Sequence, residues 1–215
     1  ISSDFGGLPI VKVGVWAVHF GLDDRTTSSH VRIGRVLEAM DLDVVGLVES
    51  DLMRSVMGQR DLGRMLQMDG LRDRWYVDYG PSPRTHTWGC TLLSRYPILR
   101  SEHMLLPSPD GEIACAIRAT VNVNPPWMDP RPVDILIAHN GQEEDVKGRE
   151  LQSRVLAETV RKSHGPLIYA GYLVARPHSP DYHRLFRPTP GRTTGPLPAI
   201  HGPLVDIDPD IPDRW

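Results

Sequence analysis

One histidine follows an apolar run and stands directly before a polar turn. Val133 to Ala138 has the continuous apolar pattern of a buried strand, His139 ends it, and a charged helix is predicted from about Glu143 to Lys162. A strand end holds a side chain on a rigid anchor beside solvent, and imidazole can both take and give a proton near neutral pH. Taken alone, this position favours a surface histidine beside a turn. The motifs described below favour a catalytic acid/base, and we predict that role for His139.

Two further polar side chains end predicted strands. Glu49 follows the apolar run Val44 to Val48, and His19 lies just beyond the strand Val11 to Ala17. We expect both side chains at the site. The alternative for Glu49 is a helix-capping or salt-bridged carboxylate.

The histidines His86 and His103 flank the strand that begins at Trp88. Each could act as a second acid/base or donate a hydrogen bond to a phosphate. The alternative for each is a hydrogen-bonded structural histidine.

The elements that must position these residues alternate along the chain. Strands are predicted at Val11–Ala17, Val44–Val48, Trp75–Tyr79, Trp88–Leu93, Ile113–Val123, Val133–Ala138 and Leu167–Ala170, and helices at Ser28–Met40, Asp61–Met68 and Glu143–Lys162. Strands outnumber helices, which predicts an α/β protein with packed sheets and helices outside them. Beyond Phe186, frequent proline and glycine predict a wrapping loop or a partly mobile tail.

The composition of the chain gives no indication of a nucleic-acid partner or of a membrane-spanning segment. The 215 residues suit one domain, 40% of them are hydrophobic, and a net charge of -3 with a pI near 6.3 offers no general attraction to nucleic acid. No apolar run approaches the ~20 residues that span a bilayer. Two cysteines, Cys90 and Cys115, lie in apolar strand-like segments. We favour buried free thiols, with a disulfide as the alternative if the strands pair in an oxidising compartment.

Four segments together resemble the endonuclease/exonuclease/phosphatase superfamily. They are Asp43–Glu49, Leu92–Ile98, Ile137–His139 and Ala170–Pro177. The resemblance implies a two-layer β-sandwich flanked by helices. It also implies that Glu49 is the metal-binding glutamate and that His139 contacts the scissile phosphate.

Three departures from the superfamily pattern bear on mechanism. Ala17 stands where the first strand usually carries asparagine, and Tyr172 and Val174 replace the aspartate and asparagine of a Gly-Asp-Phe-Asn motif. An ordinary nuclease mechanism therefore cannot be assembled from these residues.

A narrower resemblance accounts for those departures. The motifs are His86–Gly89, Leu105–Glu112, His139–Asp145, Asp206–Asp208 and Asp213–Trp215. They resemble the C-terminal domain of the eukaryotic cell-wall biogenesis proteins that remodel glycosylphosphatidylinositol (GPI) anchors by exchanging diacylglycerol for ceramide. We accordingly expect residues 1–215 to be a single domain, excised from a larger membrane protein and lacking its last strands. That protein would be in the endoplasmic reticulum, with the domain in the lumen.

This resemblance implies a phospholipase-C-like attack on the inositol phosphodiester. The catalytic candidates are His139, Glu49, Asp206, Asp208, His19 and His86, and the substrate-binding candidates are Asn140, Trp88, His103 and Arg214. Glu49 could hold a divalent ion, Mg²⁺ or Ca²⁺. The expected partners are a GPI lipid and ceramide, with the membrane reached through a multi-spanning region and no nucleic acid. The alternatives are a non-catalytic module that recognises the GPI glycan and a divergent metal-dependent phosphodiesterase.

Overall fold

Two four-stranded β-sheets packed face to face form the body of the protein. The computed structural model describes residues 10–52, 60–71, 75–80, 88–111, 114–176 and 179–186. One buried cluster contains side chains from both sheets, including Val44 and Leu92 from the first and Ile117 and Ile137 from the second. The predicted two-layer sandwich with flanking helices is confirmed.

The first sheet carries the site's glutamate. Its strands are β1 (Val13–Ala17), β2 (Val44–Asp51), β3 (Tyr76–Gly80) and β4 (Trp88–Ser94), in the order β1-β2-β4-β3. Strands β1 and β2 are parallel, and the other pairs are antiparallel.

The second sheet carries the site's histidine. Its strands are β5 (Ile98–Leu106), β6 (Ala114–Asn122), β7 (Pro132–His139) and β8 (Leu167–Tyr172), paired in sequence order. Strands β7 and β8 are parallel, and the other pairs are antiparallel.

Helices cover the outer faces of both sheets. They are α1 (His30–Met40), α2 (Leu62–Met65, continuing as a π turn over Leu66–Gly70), α3 (Val146–Arg161) and α4 (Pro180–Phe186). The apolar faces of α1 and α2 pack on the first sheet, and those of α3 and α4 pack on the second. In the described part of the chain, each helix falls short of the length and apolar character that crossing a membrane would require.

The strand β2 is buried on both faces, which explains its unbroken apolar sequence. Val44 and Val48 face the second sheet, whereas Val45 and Leu47 face α1 and α2. At Gly46 the sheets approach so closely that an added Cβ would lie 2.5 Å from Ile137. Glycine is therefore required here by packing.

Two elements were missing from the sequence prediction. Strand β5 is an edge strand with little burial, so its apolar residues do not alternate clearly. Helix α4 has only 7 residues, too few for a helical period to be recognised. The start of α3 also differs: Asp145 accepts a hydrogen bond from Gly148 N at 2.8 Å and caps the helix, which begins at Val146 rather than Glu143.

The strand ends that carry the candidate site residues lie at one rim of the sandwich. Because of the pairing directions, the carboxyl ends of β1, β2, β7 and β8 meet the amino ends of β4 and β6 there. We call this edge the site rim. Its contributors are Ala17, Glu49, Trp88, His139 and Tyr172.

Candidate active site

A carboxylate from one sheet meets an imidazole from the other at the site rim. His139 Nε2 lies 3.6 Å from Glu49 Oε1, with the imidazole side chain 10% exposed and the carboxylate side chain 36% exposed. The separation exceeds an ordinary hydrogen bond, so the interaction is mainly electrostatic. A carboxylate at this distance stabilises the protonated imidazole that forms when the ring takes a proton.

The backbone of Glu49 is strained. Its φ is 54°, in the left-handed region that favours glycine. The pairing register of β2 and β4 shifts between Leu47 and Ser50, which inserts an extra residue into β2. Such a bulge re-aims a side chain. Here the bulged position is that of the glutamate that faces His139.

Other positive φ angles occur at the same rim. His19 and Phe20, after β1, have φ of 43° and 59°, and Val174, after β8, has φ of 51°. A β-branched residue such as valine is rarely found there. Strain at several neighbouring strand ends is typical of binding and catalytic sites, where the surrounding structure holds the strained conformation in place.

Aromatic rings surround the imidazole. The Trp88 ring contacts His139 edge-on, with centroids 5.2 Å apart and planes at 88°. The Tyr172 ring lies on the neighbouring strand with its centroid 6.0 Å away. Trp88 belongs to the first sheet and His139 to the second, so this ring contact joins the two sheets. His139 is 8% exposed.

Asn140 braces the chain next to the imidazole. Its Nδ2 donates to Leu173 O at 2.7 Å, and its backbone N donates to Tyr172 O at 3.1 Å. Its Oδ1 is buried without a hydrogen-bond partner. The predicted substrate-binding residue is thus engaged in holding the end of β8.

Gln152 supports the turn that follows His139, and it was not among the predicted site residues. This fully buried side chain of α3 accepts from Gly141 N through Oε1 and donates to Pro107 O through Nε2, each at 3.0 Å. It joins the turn after His139 to the loop after β5. The sequence feature that could have identified it is a glutamine on the inward, otherwise apolar face of a predicted amphipathic helix.

His19 lies at the site rim but is exposed. Val18 N donates to Val48 O at 3.0 Å, which keeps the end of β1 beside that of β2. The described contacts of the His19 ring are with Phe20, at 6.2 Å between centroids. His19 therefore lies exposed beside the end of β2 and is not part of the Glu49–His139 pair.

His103 is held in a different part of the sandwich. Its Nε2 lies 2.9 Å from both carboxylate oxygens of Asp78, across the β3 and β5 edges. The Asp78 hydrogen bond raises the pKa of His103 above its ordinary value, although burial acts in the opposite direction. In the sheet register His103 is level with Ile117, whereas His139 is level with Cys115, two residues nearer the rim along β6. Its predicted substrate-binding role gains no contact with the site.

Four predicted site residues lie outside the described part of the chain: His86, Asp206, Asp208 and Arg214.

The described side chains at the rim do not form a divalent-metal site of their own. Glu49 supplies a carboxylate, but Ala17 and Val174 supply no side-chain oxygen, and Tyr172 stands where the superfamily has aspartate. No group of three or more histidine, cysteine, aspartate or glutamate side chains converges among the described residues. Hard divalent ions prefer several oxygen ligands. We therefore derive no chemical step through a metal.

Solved structures share this arrangement of sheets and helices. An endonuclease/exonuclease/phosphatase family protein from Bacteroides thetaiotaomicron matches with a TM-score of 0.60 at 12% identity, covering 81% of this chain and 67% of that chain. ANGEL2, a 2',3'-cyclic phosphatase solved with adenosine-2',3'-vanadate, matches with a TM-score of 0.55 at 13% identity, covering 80% and 56%. The fold is that of the endonuclease/exonuclease/phosphatase superfamily.

Sequence comparison narrows the class. The chain belongs to the family described as "PGAP2IP, C-terminal nuclease-like domain", which it matches over residues 9–215. It is 42% identical over 207 residues to protein cwh43 of Schizosaccharomyces pombe (strain 972 / ATCC 24843). That alignment covers 96% of this chain and 19% of the relative, so the chain spans about a fifth of that protein's length. The predicted superfamily and subgroup are confirmed.

Proposed function

We propose that the site rim cleaves the inositol phosphodiester of a GPI lipid in a phospholipase-C-like reaction that allows diacylglycerol to be exchanged for ceramide. The observation that carries the proposal is the 3.6 Å approach of His139 Nε2 to Glu49 Oε1, between two sheets and beneath a tryptophan ring. This pair supplies acid/base chemistry even though the polar residues of the Gly-Asp-Phe-Asn motif are absent.

Inositol lipids carry their own nucleophile. The 2-hydroxyl of inositol attacks phosphorus, the bond to the diacylglycerol oxygen breaks, and a cyclic inositol phosphate remains. The hydroxyl loses one proton and the leaving oxygen gains one. A ceramide hydroxyl or water then opens the ring by the reverse proton transfers. ANGEL2 is described as a 2',3'-cyclic phosphatase, and cyclic phosphate chemistry on this fold supports the proposal.

His139 serves as the main proton-transfer group, and Glu49 stabilises its protonated form. His19, exposed at the end of β1, is the described candidate for the second proton-transfer group. Asp206, Asp208 and His86 remain candidates on the strength of the resemblance. Positioned acid/base groups of this kind typically accelerate a reaction ~10²–10⁴-fold.

The rim also offers apolar surface to a lipid. Leu105 is 54% exposed and Val146 is 64% exposed, and Leu105 lies in the pairing row of His139. Trp127, 83% exposed, lies instead before β7 begins, at the opposite end of an 8-residue strand. That strand is ~26 Å long. We therefore propose that the membrane surface faces the site rim and not the Trp127 turn.

We also propose a cellular setting for the domain. We infer that the domain acts in the lumen of the endoplasmic reticulum, next to a membrane region of the same protein, on GPI lipid and ceramide. The match to cwh43, of which the chain spans about a fifth, supports a place beside other regions of a longer protein. Nucleic acid is not expected as a substrate because the chain carries a net charge of -3.

A second candidate is a non-catalytic module that recognises the GPI glycan. The rings of Trp88 and Tyr172 beside His139 favour it, because aromatic faces bind sugars as well as lipids. A three-substrate assay separates the candidates: phosphatidylinositol or GPI lipid, single-stranded DNA and a phosphomonoester are incubated with the purified protein. Release of diacylglycerol supports the proposal. Glycan binding without turnover supports the second candidate, and DNA cleavage contradicts both.

A further inference from the structure

The two cysteines meet between the sheets, directly beneath the site. Cys90 Sγ on β4 lies 3.1 Å from Cys115 Sγ on β6, and both residues are fully buried. Strands β4 and β6 belong to different sheets, so the thiols face each other across the core. A disulfide between paired neighbouring strands, the alternative considered from the sequence, is ruled out because β4 and β6 are not paired. A bond between these sulfurs would join the two layers.

The position of the pair relates it to His139. Cys115 is the pairing partner of His139 on the adjacent strand, and the His139 backbone lies against the Cys90 thiol. Cys90 is also two residues from Trp88, whose ring contacts the imidazole. A link between the sulfurs would therefore join β4, which carries Trp88, to β6, the strand paired with the one that carries His139.

We propose that Cys90 and Cys115 form a structural disulfide when the chain folds in an oxidising compartment. The sulfurs would have to approach by about 1 Å to reach the bonded distance of ~2.05 Å. In the reaction each thiol loses its proton, and a disulfide oxidant, small or protein-borne, accepts the two electrons and becomes two thiols. The inference rests on the proposed lumenal setting and does not depend on the proposed reaction.

Burial decides when this reaction can take place. In the folded thiol form, the hydrogen bond with Cys115 and then burial hold the pKa of Cys90 well above its ordinary value. Thiol–disulfide exchange needs an accessible thiolate. The disulfide must therefore form before the core closes, and once formed it is protected from reductants outside.

Peptide mapping of the intact protein tests the proposal. The protein is isolated from its native host under acid quench, its free thiols are alkylated, and it is digested with trypsin without reduction. The disulfide predicts one linked species made of residues 85–95 and 101–118, which contain the two cysteines. Two alkylated cysteines, or a mixed disulfide with another thiol, would overturn the proposal. The result is read without any activity measurement, so it is independent of the proposed reaction.

Thermal unfolding provides a second readout. The sulfurs are 25 positions apart, and closing a loop of this size should raise the melting temperature by about 5–10 °C relative to the same protein denatured in reductant. In the matched variants Cys90→Ala and Cys115→Ala, reductant should cause no such shift. An equal shift in those variants, or none in the unmodified protein, would contradict the disulfide.

Discussion

Replacing Glu49 with glycine should leave the protein as stable as before while removing most of its activity. The residue has a φ of 54°, and a non-glycine residue in that conformation costs roughly 1–2 kcal/mol. Glycine removes this strain but adds about 0.5–1 kcal/mol of backbone entropy to the unfolded chain. The free energy of unfolding should therefore stay constant or rise by up to ~1.5 kcal/mol, and the melting temperature by up to ~6 °C.

The same substitution removes the carboxylate that faces His139 at 3.6 Å. Since Glu49 stabilises the protonated imidazole in the proposed reaction, the rate of diacylglycerol release should fall ~10²-fold or more. Calorimetry and a lipid-release assay on the same preparation measure the two effects.

A matched control uses the same backbone conformation away from the site. Thr26 is exposed in the turn before α1, with φ of 58°. Thr26→Gly should change stability in the same direction and leave activity unchanged. If Glu49→Gly instead lowers the melting temperature by more than ~4 °C, the carboxylate is a structural brace and the reasoning from strain fails.

Two other variants test the framework around the site. Gly171→Ala should lower the melting temperature by well over 5 °C, because the new Cβ would stand against the Ala138 carbonyl oxygen and 2.9 Å from its carbon and nitrogen; a normal melting temperature would show that β7 and β8 can separate freely. His103→Gln should destabilise most at about pH 6 and progressively less towards about pH 9. The Asp78 hydrogen bond raises the pKa of His103, so its stabilisation is full below the ordinary histidine value and is lost as pH rises through the raised one. A pH-independent difference between variant and parent would contradict a charged His103–Asp78 pair.

Much of the fold could be predicted from the sequence because its central strands are locally unambiguous. Val44–Val48 and Val133–Ala138 are continuous apolar runs, and each ends in the polar residue that reaches the rim. The edge strand β5 could not be found in this way. One of its faces packs little, so the pattern there does not distinguish a strand from a loop.

The site was predicted less completely, since its details depend on contacts between distant segments. The approach of Glu49 to His139 followed from the resemblance to a superfamily that uses both. The bulge that turns Glu49, and the buried Gln152 that holds the turn after His139, arise from the packing of β2 on β4 and of α3 on the second sheet. Asn140 was expected to bind substrate, whereas its amide first holds the Leu173 carbonyl.

Phosphorus NMR can show whether His139 is the acid/base of lipid cleavage, when a GPI or phosphatidylinositol substrate is incubated with the unmodified protein and with His139→Ala. The unmodified protein should produce a transient cyclic inositol phosphate with release of diacylglycerol. The variant should stay folded with a melting temperature lowered by several degrees, because it removes a buried ring at the end of a strand, and should lose ~10²–10⁴-fold in rate. A folded His139→Ala protein that cleaves the lipid at the parent rate would contradict the assignment of this imidazole as the acid/base.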